Sequence, residues 1–271
     1  MKATDRFNIA EAICKRHADA ITRIALLDAK PAGNNVYTYG GLDFISNKFA
    51  TALAGRGITG RDAVAIILPQ SAALITSYFG ALKTGAACVE LSPSLQKEAI
   101  EYALKESRAK AVVADSSIRA EAVEIAGNVN NVQAIFIAGD DGEANAPGSD
   151  AKGFWPEIYK ASSDFIPVDT ESSAPALISY VKGPDGSPRE VVRSHASLGG
   201  KATAFEMLDD FQINDKGVFR SATDWPPADV LPGFVLPALW HGCAVSIERR
   251  DNYSYLSATI GSILVALRAG M

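Results

Sequence analysis

Apolar runs of about four to six residues alternate along most of this chain with stretches whose apolar positions recur every three or four residues. The runs have the length of buried strands and the stretches that of helices lying on a sheet, so the pattern predicts parallel strands joined by helical crossovers. A helix over Ile9 to His17 precedes a strand over Ile24 to Asp28. Leu42 to Ala54 carries Leu42, Ile45, Phe49 and Leu53 on one helical face, and Gly55 and Gly57 close it. AVAIILP, Ala63 to Pro69, reads as a buried strand; Ser71 then stands as N-cap to a helix over Ala72 to Lys83, closed by Gly85. A short strand in CVELSP, a helix over Glu98 to Glu106, a strand over Ala111 to Ala114, a helix over Ile118 to Ile125 and a strand over Ala134 to Gly139 continue the rhythm.

Residues 139 to 153, GDDGEANAPGSDAKG, have no apolar period and are rich in turn formers, which predicts a flexible surface loop. Beyond it come strands at Ala176 to Tyr180, Glu190 to Ser194, Val218 to Ala222 and Ala244 to Glu248, with helices near Leu198 to Leu208, Leu231 to Leu239 and Tyr255 to Arg268. The expected fold class is α/β, doubly wound, with mostly parallel sheets and flanking helices. Residues 1–171 form the first expected subdomain and 172–271 the second. No internal repeat or low-complexity tract interrupts the pattern.

Composition narrows the function classes. The 271 residues are 48% hydrophobic and 21% charged, with a net charge of -5, an ordinary balance for a folded soluble domain. A mildly acidic total argues against a broad nucleic-acid or anionic-membrane surface. Cys14, Cys88 and Cys243 are dispersed, as are His17, His195 and His241, so buried free thiols are expected and neither a disulfide framework nor a metal centre. The amino end meets charge within a few residues and lacks an apolar leader, and no run reaches the ~18 to 20 apolar residues of a membrane span. A cytoplasmic protein is expected.

The segment ISYVKGPDGSPREVVRSH sets two glycines and two prolines between two strands, with Lys182, Arg189 and Arg193 around them. A glycine-bearing turn with nearby cations can wrap backbone N–H groups around phosphate oxygens, because glycine allows the φ angles and the close approach. The same residues also suit an ordinary hairpin turn with solvated basic flanks. The segment is not a GxxxxGK[ST] loop, and no GxGxxG opens a helix after a strand.

This segment resembles YTSGTTGxPKGVxxSH, the phosphate-loop signature of the AMP-forming acyl-CoA synthetases and their adenylating relatives. The stretch from Tyr37 through the TY-x-x-L-x-x-x-S-N helix, the GRDAVAIILP strand and the ALKTGA turn is similar to the same family, and AIEYALKESRAKAVVAD continues it. ATDWPPADVLPGFVLPALWHGCAVSIERRD resembles the acetyl-, medium-chain and aromatic acyl-CoA ligase branch. The likeness runs from about Tyr37 to Arg250. It implies the amino-terminal large-domain fold of that family, ATP/AMP, Mg2+ and CoA as cofactors, and activation of a carboxylate through an acyl-adenylate before thioester formation with CoA.

Carried over by position, Tyr180, Gly183, Gly186, Pro188 and Arg189 correspond to the nucleotide phosphate loop, and Trp225 to an aromatic near the acyl pocket. Val191, Ser194 and His195 also match the signature. The departures fall on the chemistry. Val181, Lys182, Pro184 and Asp185 replace hydroxyl residues, and Arg189 and Glu190 replace lysine and glycine. Valine has no donor, proline lacks its N–H, and Asp185 adds an anion beside phosphate. Glu190 is expected to pair with Arg189 and offset its charge. The family's adenine, ribose and magnesium contacts and its adenylation lysine come later than the matched pattern extends, so no catalytic residue is assigned here and the chain reads as a truncated large domain, inactive alone. The alternative expectation is a non-catalytic module that keeps the fold and binds an acyl-like carboxylic acid, a complementary protein segment or a second copy. A sheet ending at AVSIE would leave an apolar face and an edge, which Tyr255 to Leu267 is expected to cover unless self-association does.

Four other groups have candidate roles. His195 follows a strand, and with no carboxylate assigned to orient it a structural or capping role is expected. His241 reads as a helix-end cation. SHASLGG around Ser197 lacks the spacing of a nucleophile elbow. Tyr253 and Tyr255 with Arg249 and Arg250 read as a solvated turn.

Overall fold

Asn8 opens the first helix, α1 (Ile9–Lys15), because its side-chain oxygen accepts the N–H groups of Ala10 and Glu11. Strand β1 (Ile24–Ala29) is followed by β2 (Asn35–Thr38), antiparallel to it, and Thr38 caps α2 (Tyr39–Ala54) by accepting the Gly41 N–H. The next units alternate as the apolar runs require: β3 (Ala63–Ile67), α3 (Ala72–Lys83), β4 (Ala87–Leu91), α4 (Lys97–Glu106), β5 (Ala111–Asp115), α5 (Arg119–Gly127) and β6 (Ala134–Ala138). Ser71 caps α3 through Leu74, and Gly85 leaves it at φ +79°, a left-handed angle that glycine adopts without strain. Then come β7 (Lys152–Gly153), α6 (Phe154–Lys160), β8 (Pro175–Lys182), β9 (Pro188–Ser194), α7 (His195–Ala204), β10 (Val218–Arg220), a π-helical turn over Leu231–Val235, α8 (Leu236–Trp240), β11 (Ala244–Glu248) and β12 (Val265–Ala266). The structure, a computed structural model, describes residues 6–17, 19–29, 35–139, 151–184, 187–204, 217–220, 231–248 and 265–266.

The strands form two sheets. A seven-stranded sheet has the order β7-β6-β5-β3-β4-β8-β9, parallel throughout except for β9. A five-stranded sheet has the order β12-β10-β11-β1-β2, with β1, β11 and β10 parallel. Both sheets take strands from either side of residue 171.

β3, β4 and β5 are buried on both faces, which is why their sequences are continuous apolar runs rather than alternating ones. On one face Val64, Ile66 and Cys88 meet Phe49, Tyr78, Phe79 and Phe154 of the covering helices. That cluster continues without a break to Leu26, Val245 and Ile247 of the five-stranded sheet, so one core serves both sheets. On the other face Ala65, Ile67 and Val89 meet Ile100, Leu104 and Ile125 of α4 and α5.

Most expected elements are present within one to three residues of their expected ends. Three short ones carry no strong period and escaped the sequence reading: β2, β7 and α6. The last part of the expected 139–153 loop is therefore strand, since Lys152 and Gly153 pair with Phe136 and Ile137; residues 140–150 lie outside the described residues. The helix expected over Tyr255 to Arg268 is corrected at Val265 and Ala266, which pair antiparallel with Arg220 and Phe219. The unpaired edge of β10 offers backbone donors and acceptors that outweigh local helical period. The rest of that segment lies outside the described residues. All three cysteines are free and buried.

Candidate functional site

β8 is held to β4 at Cys88↔Leu177 and Val89↔Ile178, and from Ser179 onward its ladder partner is β9. The pairs Ser179↔Val191, Tyr180↔Glu190, Val181↔Arg189 and Lys182↔Pro188 make a two-stranded ribbon that projects past the sheet. Gly183 closes it by donating its N–H to Ser187 O at 2.8 Å. Antiparallel pairs alternate between bonded and non-bonded, so Pro188, one step away on an edge strand, stands where its missing N–H costs no ladder bond. The segment is thus a hairpin. Asp185 and Gly186 at its tip lie outside the described residues.

Side chains alternate across the ribbon, and this decides what its tip can offer. Tyr180 turns to the α4 side: its hydroxyl donates to Ala103 O at 3.4 Å, and its ring meets Tyr102 edge to face at 6.1 Å. Burial pushes its phenol up to about 12, with the charges of Glu190 and Glu106 adding to the effect, so it is a donor at neutral pH. Arg189 stands on the opposite face, beside Val181, and is exposed. The expected Arg189–Glu190 pair is therefore corrected: neighbours along a strand point to opposite faces, and among the described residues neither side chain has an ion pair. Arg193 reaches across to Ser179 Oγ at 3.4 Å.

Tested against a nucleotide triphosphate, Arg189 is a cation without an ion pair among the described residues, the Lys182 side chain lies outside them, and the described donors are few. Val181 has none, Pro184 has no N–H, and the Gly183 N–H is committed to Ser187. The described part of the hairpin therefore offers an anion few hydrogen-bond donors.

His195 begins α7 and has no exposed surface. Its Nδ1 accepts the Ile9 N–H at 3.3 Å, so the ring proton sits on Nε2, which has no hydrogen-bond partner among the described residues. Burial lowers its pKa to about 4. The ring therefore caps α1, as expected. His241 stands at the carboxyl end of α8, and Ser197 is exposed on α7. Trp225, Tyr253, Tyr255, Arg249 and Arg250 lie outside the described residues.

Several matched positions do structural work. Lys83 of the ALKTGA turn is fully buried, and its Nζ donates to Asp43 O and Oδ1, to Ser46 Oγ at 2.8 Å and to Asn47 Oδ1 at 2.7 Å, joining two matched segments. Tyr39 donates to Leu239 O and Cys243 O across the whole fold. The α4 residues beside Tyr180, Tyr102 above all, gave no sequence signal, because a tyrosine on a helix has no motif of its own. A groove of about 540 Å³ at the amino ends of β3 and β8 holds Arg6 and Arg61 against Asp169 and Glu171, with balanced charge, at the far end of β8 from the hairpin. Among the described residues no three His, Cys, Asp or Glu side chains are grouped to hold a metal ion, and no helix is long and apolar enough to cross a membrane.

Comparison with known proteins matches residues 11–260 to the family described as AMP-binding enzyme. Surfactin synthase subunit 2 of Bacillus subtilis (strain 168) is 28% identical over 227 residues, 83% of this chain and 6% of that protein. The 3-hydroxybenzoate--CoA/4-hydroxybenzoate--CoA ligase of Thauera aromatica is 27% identical over 161 residues, 59% of this chain and 30% of that enzyme. Among solved structures, the anthranilate CoA ligase AuaEII in complex with anthranoyl-AMP superposes with a TM-score of 0.80 at 18% identity, covering 92% of this chain and 46% of that one. The chain thus spans less than half the length of these relatives.

Proposed function

Because the chain belongs to the AMP-binding enzyme family over residues 11–260, we propose that it is the large-domain portion of an AMP-forming, acyl-CoA synthetase-like ligase whose phosphate hairpin has lost its hydroxyl donors at positions 181, 182, 184 and 185. The activity assigned to the whole-length setting is activation of a carboxylic acid by ATP as an acyl-adenylate, followed by transfer of the acyl group to CoA. In this reading Arg189 is the group that meets nucleotide phosphate, and Gly183 and Pro188 shape the turn. Tyr180 fastens the turn to α4.

The observation that carries the reading is the β8–β9 hairpin, with Arg189 free on one face and the Gly183 N–H committed to Ser187. In-line attack on an α-phosphate needs both charge neutralisation and positioning, and one exposed guanidinium supplies little of either. The isolated chain is therefore a weak nucleotide binder that does not adenylate. The depleted donor set favours a non-catalytic role for the chain by itself, as a module that binds an acyl-like acid or a partner segment.

Isothermal titration with Mg-ATP tests this. The expected dissociation constant is about 1 mM, and Arg189→Ala removes the heat. ATP–pyrophosphate exchange by the purified chain, lost in Arg189→Ala, would overturn the non-catalytic reading. Absence of any Mg-ATP heat at millimolar concentration would remove the nucleotide from the proposal.

A further inference from the structure

The hairpin poses a mechanical problem that its sequence motif does not address. Two strands alone are marginal in water, and beyond Val89↔Ile178 no third strand among the described residues lies beside the β8–β9 ribbon. Val181, Arg189 and Glu190 are exposed, and Val192 is half exposed. The Arg193–Ser179 contact ties the two strands to each other. Tyr180 is different. Three residues before Gly183, it leaves the ribbon toward the carboxyl half of α4, where its ring meets Tyr102 at 74° and its hydroxyl reaches the Ala103 carbonyl. Glu106 and Ser107 stand around the same hydroxyl.

We propose that Tyr102 is a positioning residue for the phosphate hairpin, clamping the projecting ribbon to α4 through the edge-to-face contact with Tyr180. Tyr102 lies outside the hairpin motif, and 41% of its surface is exposed. Its effect passes through Tyr180. α4 itself is anchored by Ile100, Ala103 and Leu104 in the core, so the clamp refers the ribbon to a rigid element rather than to another loop. The inference rests on the reading of the hairpin as the phosphate segment only where nucleotide affinity is concerned.

The test is hydrogen exchange and Mg-ATP titration on the full chain with Tyr102→Ala and Tyr102→Phe. Alanine is the best helix former and the site is on the surface, so α4 is kept. An aromatic pair of this geometry corresponds to about a fivefold change in local opening, so Tyr102→Ala is expected to speed exchange of the Gly183 amide and of the ribbon amides by about that factor. Amides of β3 and β5 keep their wild-type protection, and Tyr102→Phe restores the ribbon. Equal exchange in Tyr102→Ala and wild type overturns the clamp, and so does uniform acceleration in every strand. Where wild type binds Mg-ATP, Tyr102→Ala weakens it by a similar factor and Tyr102→Phe restores it; faster exchange with unchanged affinity overturns the positioning role. Where wild type gives no Mg-ATP heat, the nucleotide reading fails and the exchange result alone decides the clamp.

Discussion

His195 joins β9 to α7 and spends its Nδ1 lone pair on the Ile9 N–H, leaving a buried Nε2–H without an acceptor among the described residues. Such a donor costs about 1–3 kcal/mol, and a second proton on the ring would cost more, because Nδ1 would then face the Ile9 N–H as a donor. Desolvation accordingly holds the native pKa near 4 against an ordinary 6.5. Between those values the unfolded chain binds a proton at this position that the native chain does not, so stability falls as pH drops through the window and the loss is complete below about 4. The gap corresponds to about 3 kcal/mol. Urea unfolding at pH 7 and pH 4.5 should show a steep loss for wild type and a shallower one for His195→Asn, whose side-chain oxygen can still accept from Ile9. Identical slopes would mean that other groups govern acid sensitivity. Among the described residues no carboxylate is bonded to the same buried ring to orient it as a base.

Helices α2 and α3 approach closely because Gly80 has no side chain. A Cβ there would lie 2.6 Å from Phe49 Cδ1 and 3.1 Å from Phe49 Cβ, and Phe49 is wedged against Phe136 and Phe154 with no room to swing. Gly80→Ala should therefore destabilise by about 1–3 kcal/mol despite alanine's better helix propensity. Thermal or urea denaturation reads the sign directly. A stabilised variant would show that the α2–α3 contact yields more easily than its geometry indicates. Elements with strong local signals were legible in the sequence: Ser71 caps α3 as its position predicts, and Gly57 and Gly85 adopt positive φ at helix ends. The short β2, β7 and α6 were not, because pieces of two to seven residues are too brief to display a period.

At the scale of the whole molecule, Asn8 binds together segments that are remote in the chain. Its oxygen caps α1, while Nδ2 donates to Leu82 O at 2.7 Å, to Thr170 Oγ1 at 3.0 Å and to Val168 O. Asn8→Ala should lose about 2–4 kcal/mol in urea unfolding. Asn8→Asp keeps the cap acceptor but sets a carboxylate against two carbonyls, so it should also be destabilised; a wild-type value for Asn8→Asp would reduce Asn8 to a local cap. Nothing near Asn8 in the sequence announces these partners. The same holds for β1, which reads as a strand wherever it goes, yet pairs with β11 over 200 residues away, Leu26 opposite Val245. The sequence by itself determined the alternation of strands and helices, the caps between them and the likeness to an adenylating family, since period, cap chemistry and turn residues act over a few neighbouring positions. Only the tertiary structure decided which sheet each strand joined, that Arg189 and Glu190 face apart, and that the Tyr180 hydroxyl reaches α4. Those outcomes depend on register and on shape matching between distant segments, and no local pattern encodes either.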